Sequence, residues 1–112
     1  MHAQQFLDLD KSIAEHRYAL ELKQALERLR QNRDFKQVVD EGYLSKAALR
    51  LVHAKGDPRY QSQDLQRVIL AQIEAVGYFH QYLQQIESAA AMAEKSLADD
   101  EQTREALARQ LN

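Results

Sequence analysis

The sequence predicts an all-α protein in which two long helices pack antiparallel, as a hairpin or bundle, bridged by a short bent helical segment. Three observations carry this expectation. Three glycines and one proline in 112 residues are too little punctuation for a chain of many turns. Ala, Leu, Gln, Glu and Arg, which lose little on entering a helix, are abundant. Apolar residues recur at spacings of three and four near both ends of the chain, the period of one helix face.

The first helix is expected over about residues 3–31. Phe6, Leu9, Ile13, His16 and Leu20 form one row, and Leu22, Leu26 and Leu29 continue it on a slightly rotated line. Asn32 suits a left-handed C-cap, and Asp34 with Gln37 resembles a capping box that restarts a helix. Two short helices, or one bent one, follow over about 34–41 and 43–55. Their apolar residues are Phe35, Val38 and Val39, then Leu44, Ala48, Leu51 and Val52. Gly42 lies between the two groups and predicts a break or kink, because glycine costs about 1 kcal/mol relative to alanine inside a helix. KGDPRYQS is the clearest loop, with Gly56 ending a helix and Pro58 preventing its continuation.

Ser62 then reads as an N-cap, with Asp64 in the first turn of a long helix over about 62–98. Ile69, Ile73, Val76, Phe79, Leu83, Ile86, Ala90, Ala93 and Leu97 give it coiled-coil-like spacing. Asp99 is placed to cap a separate, weaker helix over about 100–111, with Gln102 at its third position. No repeat or linker divides the chain, so residues 1–112 read as one helical domain.

One stretch of the long helix is unusual. VILAQIEAVGYFHQYLQQIESAAAM, residues 68–92, contains only Glu74 and Glu87 as formally charged groups. A surface helix ordinarily sets a charge-rich face against its apolar stripe. The sequence therefore predicts that this helix is covered on more than one side, the second cover being another protein chain. Gly77 and Ala89 to Ala91 would admit a close backbone, and neutral glutamines avoid the desolvation cost of full charges. The expected protein-interface residues are Ile69, Ile73, Val76, Gly77, Phe79, Tyr82, Leu83, Ile86 and Ala90. Tyr78, Phe79 and Tyr82 read as core and interface aromatics whose hydroxyls reach a wet edge.

Recognisable catalytic chemistry is absent from the sequence. There is no cysteine, which excludes disulfides and thiolate metal sites. Di-iron bundles need Glu-x-x-His, but Ile13, Arg50 and Gly77 stand three residues before His16, His53 and His80. Three scattered glycines cannot assemble a phosphate-cradling loop, and no serine sits in a nucleophile elbow. The expectation is no enzyme, no cofactor, no metal and no small-molecule substrate. His16 reads as a partly buried, hydrogen-bonded histidine at a helix interface, and His80 is read in the same way. The N-terminus lacks the pattern of a signal peptide, and no apolar run reaches the ~18 residues of a membrane span. A soluble protein of the virion or host cytoplasm is the expected setting.

The net charge of −2 hides an asymmetry. Residues 1–22 carry −2, residues 23–59 carry nine basic and five acidic groups, and residues 60–112 carry four basic and eight acidic groups. Arg28, Arg30, Arg33, Lys36, Arg50, Lys55 and Arg59 are the candidate contacts for an acidic partner or a nucleic acid. Against a dedicated nucleic-acid binder stand the interleaved Glu27, Asp34, Asp40, Glu41 and Asp57 and a mildly acidic pI. A helix-turn-helix hinged at Gly42 would also leave Gln37 and Glu41 where apolar residues are needed.

RLRQNRDFKQVVDEGYLSKAALRLVHAKGDP and the later AVGYFHQYLQQIESAAAMAEKSL resemble a class of small helical proteins encoded among the virion and packaging genes of tailed bacteriophages. The resemblance covers roughly residues 26–97 and rests on an NxDFKxxxxEGYxxxxAxRLV core followed by an aromatic-Tyr-Leu segment. It implies a phage origin and a place in the particle or its assembly, and it transfers no activity and no functional residue. The expected function is that of a non-enzymatic virion structural or assembly protein. It would act by helix-mediated homo-oligomerisation or by docking on a larger particle protein. A DNA-packaging accessory using the basic middle, and a small inhibitor of a host protein, are the alternatives.

Overall fold

The structure, a computed structural model, describes residues 2–111. Among these the chain is almost entirely helical, with no strand. Helix α1 spans His2–Gln31, α2 Arg33–Phe35, a π-helix Lys36–Ala47, α3 Ala48–Gly56, a 3-10 turn Pro58–Tyr60, and α4 Gln63–Gln110. The residues fall into two compact units. The terminal unit takes residues 2–26 and 85–111; the middle unit is Glu27–Gln84.

In the terminal unit the start of α1 packs antiparallel against the last part of α4. Asp10 reaches Arg104, and Ser12 and His16 reach Asp100. Ile13, Leu26, Ile86, Ala90 and Ala93 are its buried side chains. Two of the five are alanines, at 1% and 2% exposure, so the two backbones approach closely there. The acidic group at residues 99–101 lies inside a continuous α4, not at a helix start. Asp99 therefore caps no separate helix: its carbonyl accepts from Thr103 Oγ1 at 3.0 Å, one turn further on. Nothing in residues 95–105 is a glycine or proline, so nothing stops the helix.

The middle unit departs from expectation at both of its predicted breaks. Asn32 does not adopt a left-handed conformation; it is extended, at φ −70° and ψ 127°. Its side chain accepts from Phe35 N at 3.0 Å, so it is the N-cap of the next helix and not the C-cap of the last. That role displaces the proposed Asp34–Gln37 box by two residues, leaving Asp34 in the first turn.

Gly42 neither breaks nor kinks the chain into two helices. The backbone stays in the right-handed helical region at both joints, Lys36 and Ala48, and widens between them into a π-helix of 12 residues. π-Helices are normally single-turn bulges, so this run is long. The half-buried row explains the widening: Phe35, Val39, Leu44, Ala48, Leu51 and Ala54 advance by four, five, four, three and three. The single step of five keeps Leu44 on the inward side only if the helix gains a residue per turn locally. Ser45 Oγ donates to the carbonyl of Asp40, five residues back, at 2.8 Å. A Cβ on Gly42 would lie 3.0 Å from the Gln37 carbonyl oxygen, also five back. Val38 and Val52, read as apolar-face residues, are exposed as a result of this register.

The loop after α3 is short and firmly held. Asp57 caps the 3-10 turn by accepting from Arg59 N at 2.8 Å and grips the Arg59 guanidinium at 2.7 Å. Gln66 Nε2 donates to the carbonyls of Lys55 and Tyr60 at 3.0 and 2.7 Å, tying α4 to both sides of the turn. Ser62 caps α4, its Oγ accepting from Leu65 N at 3.3 Å.

Candidate interaction surface

The first part of α4 places its side chains in two opposed rows. Ile69, Val76 and Leu83, seven residues apart, point inward and are buried. Ile73 and Phe79 flank them and are half-buried, with Tyr43 meeting Phe79 edge-on at a centroid distance of 5.9 Å. On the far side stand Leu70, Glu74, Gly77, Tyr78, Gln81 and Tyr82, all exposed. Tyr78 is 69% exposed and Tyr82 53%. Over residues 68–84 this outward row has a single formal charge, Glu74. The sequence called for a second cover on this helix; within the middle unit the far side faces solvent.

The predicted interface set is thereby divided. Ile69, Val76, Leu83, Ile86 and Ala90 are consumed by intramolecular packing, and Ile73 and Phe79 are partly so. Gly77 and Tyr82 remain on the surface. Gly77 has nothing beyond its own stretch of helix within 4 Å of where a Cβ would stand, and it floors a shallow depression edged by Ile73, Glu74, Tyr78 and Gln81. Tyr78 is the most exposed of the aromatic residues expected at the interface. Its place follows from helical spacing, two residues on from the buried Val76 and so on the opposite side of the helix.

A second concave feature lies between α3 and α4. It is an open groove of about 410 Å³ walled by Ala47, Leu51, Ala54, Ala75 and Val76, with Tyr43, Arg50 and Gln72 completing the lining. Ala54 of α3 and Ala47 at the end of the π-helix leave room that larger side chains would fill.

The basic candidates do not form one stripe. Arg33 and Lys36 share a groove on the π-helix with Lys46, Gln37 and Glu41. Arg50 borders the apolar groove between α3 and α4 instead. Lys55 donates to Gln66 Oε1 at 3.1 Å and Arg59 is held by Asp57, so both serve the loop. Arg28 is exposed and Arg30 half-buried. Pairing with Arg59, through its side chain first and its backbone N–H second, lowers the Asp57 carboxyl to about 2.

In the terminal unit a polar cluster crosses from α1 to α4. Ser12 Oγ donates to Asp100 Oδ2 at 2.6 Å, which leaves its lone pairs to accept from His16 Nε2 at 3.2 Å. His16 Nε2 is also 3.4 Å from Asp100 Oδ2. His16 is thus the part-buried, hydrogen-bonded histidine its position suggested. His80 is different: it is exposed. The serine and histidine are four apart on one helix face, a signal legible in the sequence; their carboxylate partner on a distant helix was not. The trio has no nucleophile geometry, because the serine proton is directed to the carboxylate and not to the imidazole.

Among the described residues no group of three His, Asp or Glu side chains is placed to hold a metal ion, and no helix is long and apolar enough to cross a membrane. Neither a protein-family model, nor a curated protein, nor a solved structure matches this chain.

Proposed function

We propose that this chain is a non-enzymatic structural or assembly component of a tailed-bacteriophage particle. It works by docking the outward row of α4 in the middle unit on a protein surface. The observation that carries this reading is that row itself: Leu70, Gly77, Tyr78, Gln81 and Tyr82 exposed around one carboxylate. Tyrosine gives large contact area at low conformational cost, and a hydroxyl that tolerates water before docking. The similarity of NRDFKQVVDEGYLSKAALRLV and the Tyr78 to Leu83 segment to phage virion and packaging proteins supplies the setting. Mass spectrometry of purified particles and of assembly intermediates tests it. The chain is expected in one or both, and Tyr78→Glu with Tyr82→Glu is expected to remove it while leaving its helicity intact. Its absence from all of them overturns the proposal.

A second reading has one observation in its favour, the groove that gathers Arg33, Lys36 and Lys46 on the π-helix. A DNA-packaging accessory would use these cations on phosphates, and its binding would fall steeply with salt. A salt-sensitive gel shift abolished by replacing Arg33, Lys36 and Lys46 would select this reading. Glu41 in the same groove argues for the first.

A further inference from the structure

We infer that the occupant of the outward row is a second copy of this chain, paired antiparallel through α4 around Leu70. The inference rests on the reading of that row as a docking surface and names what covers it. Arg67, Leu70, Glu74 and Tyr78 follow one another by three, four and four residues, so they form one line along the helix. That line runs opposite the buried Ile69 and Val76. Its two charges have opposite sign and stand at equal distances, in sequence, on either side of Leu70 and Ala71.

This arrangement is self-complementary under a two-fold axis and under no parallel alignment in register. With the axis beside Leu70 and Ala71, Arg67 of one copy stands opposite Glu74 of the other, and the symmetry makes the same pair a second time. Leu70 of each copy then stands opposite Ala71 of the other, the small alanine permitting close approach. Gln63 stands opposite Tyr78 of the other copy, which gives the ring an amide to cover. In parallel register the like charges would face each other instead.

The groups concerned are available. Arg67 has its side chain 77% exposed, and its ion pair with Asp64 is a loose 3.6 Å contact to a nearly fully exposed carboxylate. Leu70 is 44% exposed and Tyr78 69%. A surface that needs a partner to complete its charge pairing, and carries the complementary pattern itself, fits a second copy better than an unrelated helix.

Sedimentation of the full chain over a range of concentrations tests the pairing. The wild-type chain is expected to be a dimer in exchange with monomer. Glu74→Arg and Arg67→Glu should each weaken self-association by roughly ten-fold or more, since each places like charges face to face twice. Mixing the two variants in equal amounts should restore pairing, because one chain then offers two cations where the other offers two carboxylates. Circular dichroism should show unchanged helicity for both, and Leu70→Gln, which alters no charge, should also weaken the dimer. A wild-type chain that stays monomeric, or a mixture no better associated than its components, overturns the inference. A monomer that still enters particles would overturn the pairing and leave the docking reading intact; a dimer absent from particles would do the reverse.

Discussion

The terminal unit joins its helices by side chains far apart in sequence: Asp10 to Arg104, Arg17 to Glu101, and Ser12 with His16 to Asp100. In the middle unit Asp57 holds Arg59 and Asp64 holds Arg67, partners two and three residues away on the same segment. The cores differ in the same sense. Alanines at positions 90 and 93 bring the terminal helices close, whereas Ile69, Val76 and Leu83 hold the middle unit with larger side chains. Net charge follows, with six basic groups against ten acidic in the terminal unit and nine against seven in the middle one. A unit whose polar groups pair across its own helices has little left to offer a partner. The middle unit keeps a charge-poor tyrosine-bearing face outside.

The contrast in cores gives the largest expected effects. Leu83→Ala in the middle unit should cost about 2–5 kcal/mol, the loss of a buried leucine plus the cavity it leaves. Ala90→Leu in the terminal unit should cost about 1–3 kcal/mol for the opposite reason, since added methylenes must push the two helices apart. Urea midpoints measure both. If Ala90→Leu were neutral, the close approach in the terminal unit would be loose, and the distinction between the two cores would fail.

Two glycines sharpen the comparison within the middle unit. Gly77→Ala should stabilise by about 1 kcal/mol, the ordinary helix-propensity gain, because nothing beyond its own stretch of helix lies within 4 Å of the new methyl. Gly42→Ala should instead destabilise by about 1 kcal/mol, since its methyl would press on the Gln37 carbonyl across the π-helical turn. That carbonyl is backbone and cannot swing aside as a side chain would. Opposite signs in thermal melts of the two variants would establish that the π-helix, and not helix propensity, determines why glycine stands at 42.

The polar contacts give a smaller difference. Asp100→Ala removes the acceptor of Ser12 and the partner of His16 at a site where the groups are about three-quarters covered. The expected cost is about 1 kcal/mol, a charge-assisted bond discounted for its remaining exposure. Asp57→Ala should act on the loop alone. A melting temperature more sensitive to Asp57 than to Asp100 would reverse the assignment of which unit relies on its polar pairs.

How much of this was legible in the sequence depends on the range of the signal. The inward stripe from Ile69 to Leu97, the Ser62 cap and the Gly56–Pro58 stop depend on residues within a turn of each other, and the structure follows them. Gly42 was misread because propensity alone says that glycine weakens a helix; the step of five from Val39 to Leu44 held the better explanation. Asn32 was misread because asparagine serves at either end of a helix, and only the Phe35 amide it accepts from decides which. Asp99 resembled a cap locally, but caps are needed only where a helix begins, and packing against α1 carries α4 through. The partners of Asp10, Ser12 and Arg17 lie more than eighty residues away, beyond any periodicity. The interface residues were only half legible, because spacing identifies the apolar stripe but not whether the chain itself covers it.

The pH response of the loop isolates the local pairing that distinguishes the middle unit. Asp57 is lowered from an ordinary 3.8 to about 2, first by the Arg59 side chain and then by the Arg59 backbone N–H. A depressed carboxyl contributes to folding above its unfolded value and loses that contribution as pH falls through the folded one. The contribution of Asp57 is therefore complete above about pH 4 and should fade between there and about pH 2. Carboxyl chemical shifts followed by NMR should place the Asp57 midpoint near the lower end of that window. Arg59→Ala should move it part of the way back toward 3.8, because the side chain is the larger cause while the backbone N–H remains. As the carboxylate protonates, the Arg59 amide should shift with it and the 3-10 turn at Pro58–Tyr60 should loosen. The contacts between Gln66 and the Lys55 and Tyr60 carbonyls are uncharged, so they should hold α4 to the turn through the whole titration. A midpoint unaffected by Arg59→Ala would place the source of the shift outside the loop, and the middle unit's pairing would no longer be local.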